Sequence, residues 1–251
     1  MGPDSQEKLL LARGEDTLSL AEKRCFVKTL GFLNPYEQQV LKKHLRKMPG
    51  MEIAFDGGYL DAERTMLVCY PDFLTPEPSD YLTLLECTGR DLEGLSHRDY
   101  LGSLMGLGIA RENVGDILVS EEKAYLFVKP EIAEYVLQNL SKIGRRGVKV
   151  KEVPLTEAIL PTREVKEVQG TVAGLRLDAV IATALSVARG KSADFIRNGL
   201  VEVNWETVED VSREVKEGDV FSVRGFGRMK LSRIGGLTRK GRYGITVLRY
   251  L

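Results

Sequence analysis

Three cysteines and two histidines in 251 residues leave little room for metal or thiol chemistry. Cys25, Cys69 and Cys87 form no CxxC pair, and an odd number of thiols does not make a disulfide framework. Cys69 and Cys87 lie in apolar runs, so the three read as buried free thiols of a reducing compartment. His44 and His97, without clustered cysteines, are too few for a metal site or a histidine-based triad. Glycine pairs occur at Gly225-Phe226-Gly227 and Gly235-Gly236, but no helix follows them to hold a pyrophosphate. No glycine-rich strand–loop–helix of the methyltransferase kind is present, and no cofactor is implied. No apolar run approaches the roughly 18–20 residues a bilayer requires. The opening MGPDSQEKLLLARGEDTLSL carries acids early and lacks both an apolar signal core and transit character, so a cytoplasmic protein is expected.

Acid is what the last stretch lacks. Asp219 is the final carboxylate, and Arg224 to Leu251 holds eight Lys or Arg. The formal charge of zero hides this asymmetry: Met1–Ala173 carries 22 bases and 27 acids, and Gly174–Leu251 carries 14 bases and 9 acids. Lopsided charge speaks of partners rather than of fold. It points to a polyanion at the back and admits a protein partner for the acidic front.

The chain reads as three segments, an α+β protein. Residues 1–75 form a helical subdomain with a short strand pair. SLAEKRCFVKTLGFL has helical apolar spacing up to Gly31, and Asn34-Pro35 supplies an N-cap and a first-position proline for a second helix. Met51–Phe55 and Thr65–Tyr70 read as strands around FDGGYLDAER, where Gly57-Gly58 permits a positive-φ turn. Residues 76–157 give βαββαβ, the plan of ferredoxin-like and RNA-recognition folds: strand Tyr81–Cys87, helix Ser96–Leu107, hairpin DILV–AYLFV, helix from Pro130, strand Val148–Val153. Tyr125 and Phe127 share one face of their strand, which helix packing explains as well as base stacking does. Residues 158–173 read as a linker without sustained period. Residues 174–251 open with the helical stripe Leu177, Val180, Ile181, Ala184 and Leu185, then a short helix over Arg189–Asn198, then basic strands.

Arg176 sits at the first helix start of that last segment, Arg189 and Lys191 at the second, and Arg197 two turns beyond Arg189. Helix dipoles disfavour cations there, while the free N–H groups of the same starts suit phosphate oxygens. Always-charged guanidinium forks suit a phosphodiester chain. Arg224, Arg228, Lys230, Arg239, Lys240 and Arg242 extend the basic surface along the final strands.

GLRLDAVI, AR-GKSADFIRNGLVEVN and KEGDVFSV resemble the S-four type RNA-binding domain. That resemblance implies RNA contact at Arg176, Arg189, Lys191 and Arg197, and more loosely at Arg224 and Arg228. Ala188 replaces the usual serine before the second helix, and Asn204-Trp205 stands where Asn-Gly is usual. With SHRDYLGSLMGLGIARENVGDILV and FDGGYLDAER, the chain from about Asn34 onward resembles the YlmH family of bacterial and plastid proteins. The resemblance implies a non-enzymatic protein that binds structured RNA, rRNA or tRNA, at the large ribosomal subunit, in translation or rescue of stalled chains, with reported links to cell division. A cyanobacterial and plastid branch associated with photosystem II is the competing assignment.

An RNA-modifying enzyme with a docking tail is the other class, with Asp56, Asp61 and Glu63 beside the Gly-Gly turn, or Asp99, as acid–base candidates. His97-Arg98-Asp99 spells a kinase triplet, but Leu104 stands where that motif needs asparagine. Ser96 and Asp99 fit a helix cap better. Arg176-Leu177-Asp178 echoes pseudouridine synthases, yet no stretch of adequate length remains for a synthase domain.

Overall fold

In the computed structural model, which describes residues 5–60, 62–161 and 165–250, the first helix stops earlier than its apolar spacing suggests. Helix α1 spans Ser5–Arg24; Cys25 then turns left-handed at φ 52 and is exposed, unlike the buried Cys69 and Cys87. The rest of the expected helix is strand β1, Lys28–Leu33, buried continuously from Leu30 to Leu33. A short apolar run buried on both faces has no periodicity that separates strand from helix.

The chain divides into two compact units, Met1–Pro161 and Thr162–Leu251. In the first, Asn34 caps helix α2, Pro35–His44, with a reciprocal Asn34–Glu37 pair as its capping box. Strands β2, Met51–Asp56, and β3, Thr65–Pro71, join β1 in an antiparallel sheet ordered β1-β3-β2. The expected strand pair is therefore a three-stranded sheet. Strand β4, Thr83–Gly89, helix α3, His97–Gly106, strands β5, Val114–Val119, and β6, Lys123–Val128, and helix α4, Pro130–Asn139, follow in the expected order. A hairpin closes the unit: β7, Lys142–Ile143, and β8, Arg146–Glu152. The second sheet is ordered β5-β6-β4-β8-β7, with β4 central as the split-βαβ plan requires.

Alternation along the strands sends side chains into three cores. Leu18, Leu41, Leu67 and Cys69 pack α1 and α2 on one face of the small sheet. Its other face, with Phe32, Met66 and Val68, packs Leu84, Leu118, Tyr125 and Phe127 of the larger sheet. Leu85, Leu126 and Val128 point the other way, against Tyr100, Leu104, Ala133 and Val136 of α3 and α4. The layers run helix, sheet, sheet, helix. Tyr125 and Phe127 are thus covered by the N-terminal sheet, not by helices, and both are at most 2% exposed.

The described residues on either side of Asp61, from Asp56 to Tyr59 and at Glu63 and Arg64, are fastened rather than free. Asp116 on β5 accepts hydrogen bonds from Tyr59 Oη at 2.6 Å, Glu63 N at 2.7 Å and Arg64 N at 3.1 Å. Asp56 accepts from Gly58 N and Tyr81 Oη, and Asp99 accepts the Ser96 N–H and hydroxyl at the start of α3. Asp61 lies outside the described residues. The acid–base candidates Asp56 and Asp99 are therefore occupied in loop and cap hydrogen bonds.

The second unit begins with a strand where the sequence suggests a linker. Strand β9, Val165–Val172, is followed by α5, Leu177–Leu185, α6, Arg189–Arg197, β10, Val201–Val203, β11, Glu206–Thr207, β12, Val220–Val223, β13, Gly227–Leu237, and β14, Tyr243–Tyr250. These strands form one antiparallel sheet ordered β11-β10-β12-β13-β14-β9. The stripe Leu177, Val180, Ile181, Ala184 and Leu185 packs with Ile196 on Val201, Val203, Phe221, Val223, Met229, Leu231, Ile245 and Val247. Helix α5 lies so close to β9 that a Cβ at Gly170 would stand 2.3 Å from a methyl of Thr183.

Candidate nucleic-acid interface

Helix α5 begins after Arg176, whose extended backbone bridges Glu214 while Leu177 N donates to Arg213 O at 2.8 Å. Asp178, one residue into the helix, is 3% exposed and anchors the region. Its carboxylate takes two guanidinium forks. Arg176 Nε and Nη2 donate at 3.1 and 3.4 Å, and Arg189 Nε and Nη2 at 2.8 and 3.3 Å. The hydroxyl oxygen of Ser192, fully buried, lies 2.7 Å from the Asp178 carbonyl oxygen and 2.8 Å from that of Arg189, its single O–H shared between them, tying the two helix starts together. Burial pushes the Asp178 carboxyl up, but the hydrogen bonds and charges of Arg189 and Arg176 outweigh it and hold the group below its ordinary value. The same bond raises Arg189.

This arrangement resolves the dipole conflict at α6. Ala188 at its N-cap offers no side-chain acceptor, and Arg189 adds a cation. The buried carboxylate of Asp178 offsets that cation from outside the helix. Arg176 and Arg189 remain 43% and 55% exposed, with Nη1 of each unpaired among the described residues. Two forks each fixed by a buried carboxylate, with their side chains still about half exposed, suit a phosphate oxygen. Sequence reasoning named the arginines but not Asp178 or Ser192 as their support; the available signal was the Arg-Leu-Asp triplet, read only as an echo.

The other basic residues fall into distinct groups. Arg197 pairs with Asp194 at 3.1 Å on the exposed surface of α6, and Lys191 Nζ stands 6.0 Å from the Phe195 ring. Phe195 in turn meets Phe226 with ring centres 5.2 Å apart, and Arg224 N donates to Leu200 O, so the β12–β13 turn borders the end of α6. Arg228 and Lys230 alternate with the core residues Met229 and Leu231 and therefore point to the sheet face away from the helices. Arg228 stands over the Trp205 ring at 5.6 Å. Arg239 and Lys240 are exposed in the β13–β14 turn, and Arg242 is held by Thr171 Oγ1 at 3.0 Å and Thr171 O at 2.6 Å. The helix-borne group and the sheet-borne pair thus occupy opposite sides of the sheet.

The Asn204-Trp205 turn keeps the left-handed pair that Asn-Gly would give, at φ 50 and φ 66. Asn204 secures it, donating to Asp219 Oδ1 at 2.9 Å and accepting from Val220 N at 3.0 Å.

Residues 76–157 match the family described as "Putative RNA-binding domain in YlmH", and residues 175–221 match the S4 domain. Over 97% of its length the chain is 36% identical to the "Ribosome-associated protein quality control protein P2" of Bacillus subtilis (strain 168), of which it covers 95%. The chain belongs to the YlmH family. Among solved structures it resembles the "Cell division protein ylmH from Streptococcus pneumoniae", with a TM-score of 0.54 and 28% identity over 63% of this chain and 98% of that one. The YlmH match over 76–157 falls on the split-βαβ sheet, and the S4 match begins at Leu175, ten residues after the start of β9.

Proposed function

We propose that this YlmH-family protein acts without catalysis of its own, binding structured RNA, rRNA or tRNA, at the large ribosomal subunit in the handling of stalled ribosomes. The observation that carries the reading is the buried Asp178 carboxylate gripping Arg176 and Arg189 at adjoining helix starts while both arginine side chains stay about half exposed. Such pre-set forks lose little side-chain freedom when a phosphate arrives. The 36% identity to the ribosome-associated quality control protein P2 of Bacillus subtilis supports the ribosomal setting. Lys191, Arg197 and Arg224 continue the helix-side surface, and the acidic first unit is assigned to a protein partner.

The test is the triple change Arg189→Glu, Lys191→Glu and Arg197→Glu, with the matching Gln triple as a folding control because Glu at 189 would face Asp178. Binding to purified bacterial large-subunit rRNA should be abolished in the first and weakened in the second. Its logarithmic salt slope should fall by ~0.7–0.9 for each phosphate no longer neutralised. Undiminished affinity in a folded triple variant defeats the reading.

A further inference from the structure

The first unit matches a putative RNA-binding domain, yet the sheet face on which RNA-recognition folds stack bases is covered by its own N-terminal sheet. Any RNA contact from this unit must use another surface. We propose that the β7–β8 ribbon, residues 142–151, grips the phosphodiester backbone of structured RNA, an inference that rests on the RNA-binding reading above.

Residues 142–151 contain five Lys or Arg and no acid, with Glu152 following at the very end of β8, inside a front segment whose net charge is −5. A surface kept basic merely for solubility would intersperse both signs. The ribbon turns through Gly144, at φ 58, and Arg145, the exposed tip between paired Ile143 and Arg146. Gly144 and Gly147 flank the two arginines with open space where a Cβ would be, so a bulky polymer meets the backbone unhindered. Val148 and Val150 pack toward α3 and α4, which turns Lys149 and Lys151 to the opposite side. Two of the five bases are engaged: Lys151 binds Glu86 at 2.9 Å, and Arg146 donates to Glu93 O. Lys142, Arg145 and Lys149 are exposed and form no ion pair among the described residues.

Two neighbours widen the patch. Gly89 pairs with Val148, which brings exposed Arg90 beside the ribbon. Arg98 shares a cleft of about 480 Å³ with Lys142, Gly144, Asn139 and Ser141. The acids nearby are Glu86, Asp91, Glu93, Asp99 and Glu152; Asp99 is committed to Ser96, and Glu86 to Lys123 and Lys151. Shape-selective RNA binding works through phosphates and sugar hydroxyls and needs no stacking platform, which is what this ribbon offers.

The experiment measures the full chain against purified bacterial large-subunit rRNA between about 50 and 200 mM salt. The variant carries Lys142→Gln, Arg145→Gln and Lys149→Gln; its melting temperature should match wild type, since all three side chains are exposed. Affinity should drop by ~10-fold and the logarithmic salt slope by about 2, as expected when three phosphates are no longer neutralised. Unchanged affinity and slope, with wild type still binding, overturn the ribbon and leave the proposed function standing. Failure of wild type to bind rRNA removes both. Loss of binding to intact large subunits with naked rRNA binding unchanged also overturns it, because the ribbon would then face a ribosomal protein.

Discussion

Asp178 carries more interactions than its short side chain suggests. Two arginine forks, its own helix start at Ala179 N and the Ser192 hydroxyl on its backbone oxygen all converge there. Asp178→Asn keeps the shape but removes the charge that offsets Arg189 at the start of α6. The expected result is a loss of ~1–2 kcal/mol in unfolding free energy. RNA affinity should fall with it, because Arg176 and Arg189 would no longer be held in place. Chemical denaturation and rRNA binding on the same preparation check both effects; a variant as stable and as tight as wild type would show that the arginines need no anchor. Individual cations were legible in the sequence because charge is a property of the residue. Their anchor was not, because an acid at a helix start has several roles, and only the approach of α6 selects one.

At the scale of elements, Glu86 on β4 ties three strands together. It accepts from Lys123 of β6 and Lys151 of β8, each at 2.9 Å, and those bonds lower its carboxyl to about 2. A depressed acid contributes stability that is complete above the ordinary carboxylate range and disappears as pH falls through the folded value. The melting-temperature difference between wild type and Glu86→Gln should therefore be constant near neutrality and shrink between the ordinary carboxylate range and about pH 2. A difference that does not change with pH would show that these ion pairs add nothing to stability. The sequence read the elements of this sheet well, since the cap at Ser96, the first-position proline Pro130 and alternation in the strands are local signals. Strand β9 left none. Its residues are mostly exposed, because VKEVQGTV is an edge strand held by backbone bonds to β14 and carries little apolar pattern of its own.

Across the whole molecule, division into Met1–Pro161 and Thr162–Leu251 places each unit's cores within its own residues. Residues 1–161 and 162–251 produced separately should each unfold cooperatively, as followed by circular dichroism. Residues 76–157 alone would bare Tyr125 and Phe127 and should aggregate or melt far lower, since Phe32, Met66 and Val68 would be gone. If that shorter fragment is soluble and stable, the two facing sheets contribute less than their burial implies. The basic tail was visible as composition, but its division between two sheet faces was not. That division follows from strand register, and β13 shifts register twice, between Leu231 and Arg233 and between Ile234 and Leu237.

The pairing of Val165–Val172 with Tyr243–Tyr250 has a bearing on how the protein is made. The segment that opens the second unit finds its mate only among residues translated near its close. A nascent chain paused anywhere before Tyr243 would carry an unmatched β9, with the six-stranded sheet short of a neighbour. Completion of this unit should therefore be a late event of synthesis, slow for its size because contacts this remote in sequence must first overcome loop-closure entropy.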